Sequence, residues 1–455
     1  MNKKINLILV GIGFVVASAA YGFGEEQSGE SNPPVSLQRA IALAVKNNRN
    51  IQIQEQEVAA ARAHILEARS NFLPKLNAQA GYTHRDAVLT LPSSIDSKKD
   101  SRIFSGYKND NAVGLSLDQS LYNGGADIAG FKESRTSLAV QEETLRAKKL
   151  EVEFEAKRLF CGLLLAYETE RITANLVRLA EAHYEQVRNK FSQGTASRFD
   201  ALQSRVHASK LAPELIRAQN AVVLISSELK KLLGMRQPDP LALAGKLEYA
   251  PLSIQEAEFL KQAYLDNPQM RLKALGIDIQ RWSIEMAHAG FRPQIGVNVD
   301  YTYRSDALND LVNSEHNNWY AGITVTLPLF DGFSSKAKVD AAEARYREAD
   351  LAEKEFIEQI AVDVKRACLD LKQSEAIIQA SRDAVGEAQE ALKIAEVSYE
   401  NGEGTNLDIL DAQVSLSQIE KNLSEGIYDH LMARAYLEKT RGKAVEEVRH
   451  ERKNP

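Results

Sequence analysis

Histidine, cysteine and clustered acids are the side chains from which an active site or a metal centre would be assembled, and here none is spaced for it. The eight histidines contain no His-Glu-x-x-His pair, and the chain has no Gly-x-Ser-x-Gly elbow, phosphate-binding glycine loop or Cys-x-x-Cys. Gly402-Glu403-Gly404 is a fragment of a glycine motif, but it follows a helical run rather than a strand and reads as a turn. Cys161 and Cys368, the only cysteines, are too far apart in sequence for a disulfide framework or a metal knuckle. Two acids stand out. Asp200 and Asp408 lie three residues after Ser197 and Thr405, the pattern of a helix-capping box. This is the chemistry of helix ends and fixed charge, so neither an enzyme nor a cofactor is expected.

The elements that carry those acids occur twice. Asn48, Pro74 and Tyr82 recur as Asn267, Pro293 and Tyr301, all offset by 219 positions. Farther along, Leu121-Tyr122-Asn123-Gly124 recurs as Leu329-Phe330-Asp331-Gly332, Gly194 as Gly402 and Gly234 as Gly442, now offset by 208. The first copy therefore carries 11 extra residues between Arg85 and Gly114, which marks a solvent-facing loop on a fixed scaffold. The second offset sets Cys161 one step from Cys368 on matched helices, which reads as two small buried apolar side chains, with a disulfide between them as the alternative.

Each copy reads helix, strand, loop, strand, very long helix, turn, helix. Leu76, Ala78, Ala80, Tyr82 and His84 alternate with polar residues and glycine, as do Ile295, Val297, Val299, Tyr301 and Tyr303. The return strands repeat the pattern with Val113, Leu115 and Leu117, and with Trp319, Ala321, Ile323, Val325 and Leu327. A period of two is a strand with one apolar face. Four such strands of similar length, with aromatics near their ends, suit an outer-membrane barrel with apolar residues outside and polar ones inside.

The helices take the opposite extreme. Between Phe333 and Tyr399 there is no proline, and Val364, Leu371, Ile378, Val385, Leu392 and Tyr399 keep a spacing of seven. Ala367, Ser374, Ser381, Ala388 and Ala395 follow three residues after the first five, a large-then-small coiled-coil seam. Some 65 residues of helix reach roughly 100 Å, about three times the thickness of a bilayer's hydrocarbon core.

At the N-terminus, Asn2-Lys3-Lys4 precedes an apolar run from Ile5 to Ala20 that ends in small residues, as in a secretory signal peptide. The expected organisation is a signal peptide over 1–22 and an N-terminal segment over 23–35. A first repeat follows over 36–234 (strands 75–87 and 111–122, tip turn 191–200), then a connecting segment over 235–252. A second repeat spans 253–442 (strands 293–305 and 318–329, tip turn 399–408), and a charged tail covers 443–455. With 26% charged and 7% aromatic residues the chain favours long solvated helices over a large core. A net charge of −6 and no basic, aromatic-interleaved patch give no reason to expect nucleic acid, so none is expected as a partner.

Four strands cannot close a barrel, and open edges in lipid leave backbone groups unsatisfied at several kcal/mol each. Neighbouring chains must supply the rest. Two chains would give eight strands with a filled interior, three would give twelve and a water path. The duplicated plan, the Leu327-Pro328-Leu329-Phe330-Asp331-Gly332 step and the two tip turns resemble the TolC-type outer-membrane efflux family over residues 36 to 442. The resemblance implies a mostly α protein with a small β part. Its assembly would be a homotrimer with a twelve-stranded β-barrel continuous with a twelve-helix tunnel, to which each chain gives four strands and four main helical staves. It further implies an outer-membrane exit duct that meets a periplasmic adaptor (membrane fusion protein) and an inner-membrane pump. The match carries the periplasmic gate acids onto Asp408 and Asp411, and the adaptor-docking tip onto Gly194, Ser197, Arg198, Asp200, Gly402, Gly404 and Thr405. Members often hold the mouth shut with an arginine near the position of Gly404; here the arginine, Arg198, is on the other tip. The alternative reading is a soluble periplasmic coiled-coil scaffold or adaptor, although adaptors carry one helical hairpin rather than two.

Overall fold

The computed structural model describes residues 34–86, 90–92, 102–104, 108–252, 254–310 and 317–443; the expected signal peptide and nearly all of the charged tail lie outside them. In chain order the elements of the first copy are α1 (Leu37–Asn47), α2 (Arg49–Ser70), β1 (Lys75–His84), β2 (Thr90–Pro92), β3 (Arg102–Phe104), β4 (Asn109–Asn123), α3 (Ala126–Ser192) and α4 (Arg198–Leu233). Those of the second are α5 (Glu256–Asp266), α6 (Pro268–His288), β5 (Gln294–Ser305), β6 (Asn317–Thr326), α7 (Ser334–Glu400) and α8 (Asn406–Arg441). The matched pairs α3/α7 and α4/α8 have equal lengths, 67 and 36 residues.

The four long strands form one antiparallel sheet in the order β1-β4-β5-β6, so β4 of the first copy pairs with β5 of the second. The register aligns Ala78, Leu115, Tyr301 and Trp319 across the sheet, and likewise Leu76, Leu117, Val299 and Ala321. Paired residues share a face, so the apolar alternations of all four strands fall on one side. The other side carries Lys75, Asp118, Asn298 and Gly322, and near its far end Asp110, to which Arg85 (2.9 Å) and Arg304 (3.6 Å) pair. Leu76, Trp319, Ile323 and Val325 on the apolar side are each more than 60% exposed. The inserted residues of the first copy include the short antiparallel ribbon β2-β3, which the alternation pattern did not foretell.

Strand β6 stops at Thr326, two residues before Pro328, whose missing N–H cannot continue a ladder. Its counterpart in β4 runs on through a bulge between Ser120 and Tyr122. Beyond the turn, Phe333 is the only non-glycine with positive φ (68°) among the described residues, in the place where the first copy has Gly125 (φ 89°).

Helix α3 packs between α4 and α8, and α7 lies against α8 on its other side; nearer the sheet, α6 fills the place between α3 and α7, and α2 covers α3. The duplication is visible in the cores. Phe259, Ala263, Ile360, Val364, Ala367, Cys368 and Leu437 form one buried cluster, and each has a counterpart in the other, namely Ala40, Ala44, Val152, Ala156, Leu159, Phe160 and Leu229. Cys161 and Cys368 are buried and unbonded in these separate clusters, and burial pushes the Cys161 thiol up to about 11. The heptad residues Val364, Leu371, Ile378 and Leu392 are all buried, as are Ala367, Ser374, Ser381 and Ala388 beside them.

Candidate functional site at the helical tip

Both hairpins turn through a glycine that accepts the left-handed conformation, Gly194 (φ 79°) and Gly402 (φ 80°), with open space around each. The amide of Thr195 bonds back to the Lys190 carbonyl (2.8 Å) and that of Glu403 to Ser398 (2.8 Å). At Gly404 a side chain would begin about 3.1 Å from Ser398 Cβ and Tyr399 N, so the second turn is tighter there.

The capping boxes both form. Asp200 N–H donates to Ser197 Oγ (3.0 Å), and Ser197 N–H donates to Asp200 Oδ2 (3.3 Å). Thr405 donates to Asp408 Oδ2 from its amide (2.8 Å) and its hydroxyl (2.7 Å), while Asp408 N–H donates to Thr405 Oγ1 (3.3 Å). The hydroxyl bond first, then the amide bond, hold the Asp408 carboxyl below its ordinary value. Asp200 and Asp408 are thus occupied in starting α4 and α8. Arg198 and Phe199, the first two residues of α4, are exposed.

Between the hairpins lies a polar tie that the sequence reading missed. His183 Nε2 on α3 donates to Asn406 Oδ1 at the start of α8 (2.7 Å). The Ser204 hydroxyl on α4 lies 2.9 Å from the same oxygen, and Asn406 Nδ2 donates to Gln203 Oε1 on α4 (2.9 Å). His183 also meets the ring of Tyr399 edge-on at 5.4 Å, and Lys190 sits 4.3 Å over that ring. Burial lowers the pKa of His183, against the pull of Asn406, and lowers that of His207 as well. Gln413 Oε1, Ser417 Oγ and His207 Nε2 are buried with no hydrogen-bond partner among the described residues. A histidine and an asparagine at positions whose copies are Ala391 and Arg198 were the available signal.

An open groove of about 730 Å3 runs between α4 and α8 beside this tie. Phe199, Leu202, Gln203, Val206 and His207 line it from α4; Leu407, Leu410, Asp411, Val414 and Ser415 line it from α8. Five positions of the repeat are common to both sets, so the two helices present an equivalent face to the groove, and Lys210 lines it in addition from α4. Asp411 is exposed there and forms no hydrogen bond or ion pair among the described residues. The sequence-singled residues therefore divide into caps (Ser197, Asp200, Thr405, Asp408), turn glycines (Gly194, Gly402, Gly404) and two unpaired charges, Arg198 and Asp411. No group of three or more His, Cys, Asp or Glu among the described residues could hold a metal ion.

A family model described as outer membrane efflux protein matches residues 40–235 and 259–443, both copies of the repeat. The chain belongs to the outer membrane efflux protein family. This efflux protein is 23% identical over 401 residues to the alkaline protease secretion protein AprF of Pseudomonas aeruginosa, covering 87% of this chain and 82% of that one. It is likewise 23% identical over 408 residues to the outer membrane protein TolC of Vibrio cholerae (87% and 88%). Its fold matches the CmeC outer membrane channel of Campylobacter jejuni with a TM-score of 0.77 at 18% identity, over 97% of this chain and 98% of that one. The efflux protein is an outer-membrane channel and neither an enzyme nor a soluble scaffold. No helix among the described residues is long and apolar enough to cross a membrane.

Proposed function

We propose that three copies close into one duct, a twelve-stranded barrel in the outer membrane continuous with a twelve-helix periplasmic tunnel. Energy comes from an inner-membrane pump that hands substrate over through a periplasmic adaptor. The observation that carries this reading is the pair of unfinished edges. Inside the chain α3 packs on α6 and α8, and β4 pairs with β5. The copies of α3 and β4 are α7 and β6, and the copies of α6, α8 and β5 are α2, α4 and β1. All of these lie at the chain's two open sides.

Side-chain exposure supports the same joint. Leu202, Val223 and Leu224 on α4 are 50%, 65% and 61% exposed, whereas their copies Leu410, Leu431 and Met432 on α8 are buried or half-buried. On α7, Leu369 is exposed where its copy Cys161 is buried. Repeating the inner joint at the outer one buries both sets and leaves no strand edge in lipid. Three chains rather than two leave room for water among the polar residues of the sheet.

The tips, with Gly194, Ser197, Arg198, Asp200, Gly402, Gly404 and Thr405, face the adaptor. Asp411 is the gate acid, and Asp408 stands beside it with its carboxylate held in the cap. Three Asp411 carboxylates around one axis attract cations at the narrow end. Sizing of the detergent-solubilised protein by light scattering tests the assembly, with a trimer expected; release from membranes by salt alone as a water-soluble monomer refutes it. Asp411→Ala raises conductance in planar bilayers and weakens block by multivalent cations, and unchanged current and block remove Asp411 from the gate.

A further inference from the structure

We infer that Leu66 and Leu73 of each subunit bury Phe333 of its neighbour, an apolar contact that joins subunits where the sheet passes into the helices. The inference rests on the trimeric ring proposed above and names a contact within it. At the inner joint the same place is polar. Arg292, just past α6, donates from Nη1 to the Gly124 carbonyl (3.1 Å) and pairs through Nη2 with Glu285 of α6 (3.3 Å). A Cβ on Gly125 would stand 3.1 Å from that Nη1, so Gly125 faces the guanidinium. The repeat offsets carry Gly125 onto Phe333, Glu285 onto Leu66 and Arg292 onto Leu73. An ion pair against a glycine at one joint becomes two leucines against a phenylalanine at the other.

The backbone keeps the correspondence. Phe333 has φ 68° and ψ 9° where Gly125 has φ 89° and ψ −1°, so the Phe333 Cβ leaves in the direction that faces Arg292 in the first copy. Positive φ is strained for any residue with a Cβ, and glycine would make this turn without that cost. A phenylalanine left in water returns nothing for the strain, whereas one covered by a neighbour gains the burial of its ring.

Exposure agrees with a missing cover. In the single chain Leu66, Leu73 and Phe333 are 66%, 55% and 69% exposed, and Phe330, 77% exposed, meets Phe333 edge-on at 5.4 Å. The leucines lie at the end of α2 and the phenylalanines at the start of α7, on the chain's two open sides. Beside them, Gly124 is hemmed in by Ala289, but its copy Gly332 has no atom within 4 Å of where a Cβ would stand. The copy of Ala289 is Ser70, the last residue of α2, between Leu66 and Leu73. The empty space at Gly332 is therefore where the end of a neighbour's α2 belongs. A second copy is favoured over lipid as the occupant because the copies of these residues touch one another inside the chain.

Two measurements on the full-length protein test the contact. In a background of Cys161→Ala and Cys368→Ala, Leu73→Cys with Phe333→Cys is treated in detergent with a short bismaleimide, since an arginine spans this gap at the inner joint. Linked species of two and three chains are expected from the double variant and not from either single one. The other measurement is sizing of Phe333→Gly, which installs the residue of the first copy and relieves the strained turn. Its monomer fraction on dilution in detergent rises about tenfold or more, as loss of a buried phenylalanine at every joint requires. Adding Leu66→Glu and Leu73→Arg writes the inner joint at the outer one, and the triple variant holds together better than Phe333→Gly alone.

Linking, loosening and rescue are all required. Failure of any one, while the unaltered protein sizes as a trimer, overturns the contact and leaves the duct standing; a trimer unmoved by Phe333→Gly places the ring against lipid. An unaltered protein that sizes as a monomer overturns both.

Discussion

Replacing Asn406 by alanine isolates the tie between the two hairpins. Asn406 is 3% exposed and serves three partners on two other helices, His183 at 2.7 Å, Ser204 at 2.9 Å and Gln203 at 2.9 Å. Alanine leaves the His183 N–H without an acceptor in a buried site. Ser204 keeps a bond to the Asp200 carbonyl (2.9 Å), and Gln203, half-exposed, recovers water. One stranded buried donor and two weakened bonds amount to about 2–3 kcal/mol, because a buried unsatisfied group costs about 1–3 kcal/mol and an ordinary bond nets about 1. Alanine is a good helix former, so helix propensity adds no cost.

Hydrogen exchange read by mass spectrometry is the suitable assay, since a large membrane assembly has no single unfolding free energy. A loss of 2–3 kcal/mol speeds exchange of amides in 180–210 and 399–417 by about 30–150-fold, while α1 and α5 keep their protection. Acceleration below about threefold at the tip, or equal acceleration in α1 and α5, would show that Asn406 does not hold the hairpins together.

Lowering pH loosens the same place. His183 and His207 have folded pKa values below their ordinary 6.5, so the unfolded tip binds more protons and stability is lost as pH falls from 6.5 through the lowered values. Lys190 and Lys210 nearby oppose the added charge, while Glu396, Asp411 and Glu214 soften it. Tip exchange corrected for intrinsic chemistry rises across that window in the unaltered protein and stays flat in His183→Gln with His207→Gln. Gly442→Ala is more damaging than Gly194→Ala. Both glycines have positive φ, but a Cβ at 442 runs into the Asp266 carbonyl whereas the space at 194 is open. Strain alone costs about 1 kcal/mol at 194, with at least twice that at 442, readable as faster amide exchange around 442 than around 194 in the respective variants. Val223→Asp with Leu224→Asp, on the exposed stripe of α4, lowers the trimer fraction in detergent sizing while secondary structure by circular dichroism is retained.

Much of the fold is written at the level of period. Alternation in the four strands and the unbroken heptads of α7 are short-range patterns, and the register of the sheet gathers them onto one face as local alternation requires. The capping boxes at Ser197 and Thr405 are equally local and form as written. What sequence did not disclose is long-range. Joining His183 to Asn406 needs α3 and α8 brought side by side, and neither residue breaks a local pattern. The ribbon β2-β3 lacks enough residues to alternate, so it carried no readable period. The end of β6 was set by Pro328 overriding an apolar run that continues through Leu327 and Leu329. Asp411 was noticeable only through the likeness of the second tip to the efflux family, since it makes no cap and breaks no local pattern.

The segment from 235 to 252, clamped by the bonds of Val35 to Ala242 and Ala244 and by His430 to Ala250, joins one copy of the repeat to the other. Covalent attachment means that β4 and β5 find each other without two molecules having to collide. Free partners would lose about 4–15 kcal/mol of translational and rotational freedom in that step. Fusion also freed the two halves from identity. A ring of unfused units has a single kind of joint, so any change at one position is imposed on all of them. A fused pair has two kinds, and selection can harden one while leaving the other weak enough to part.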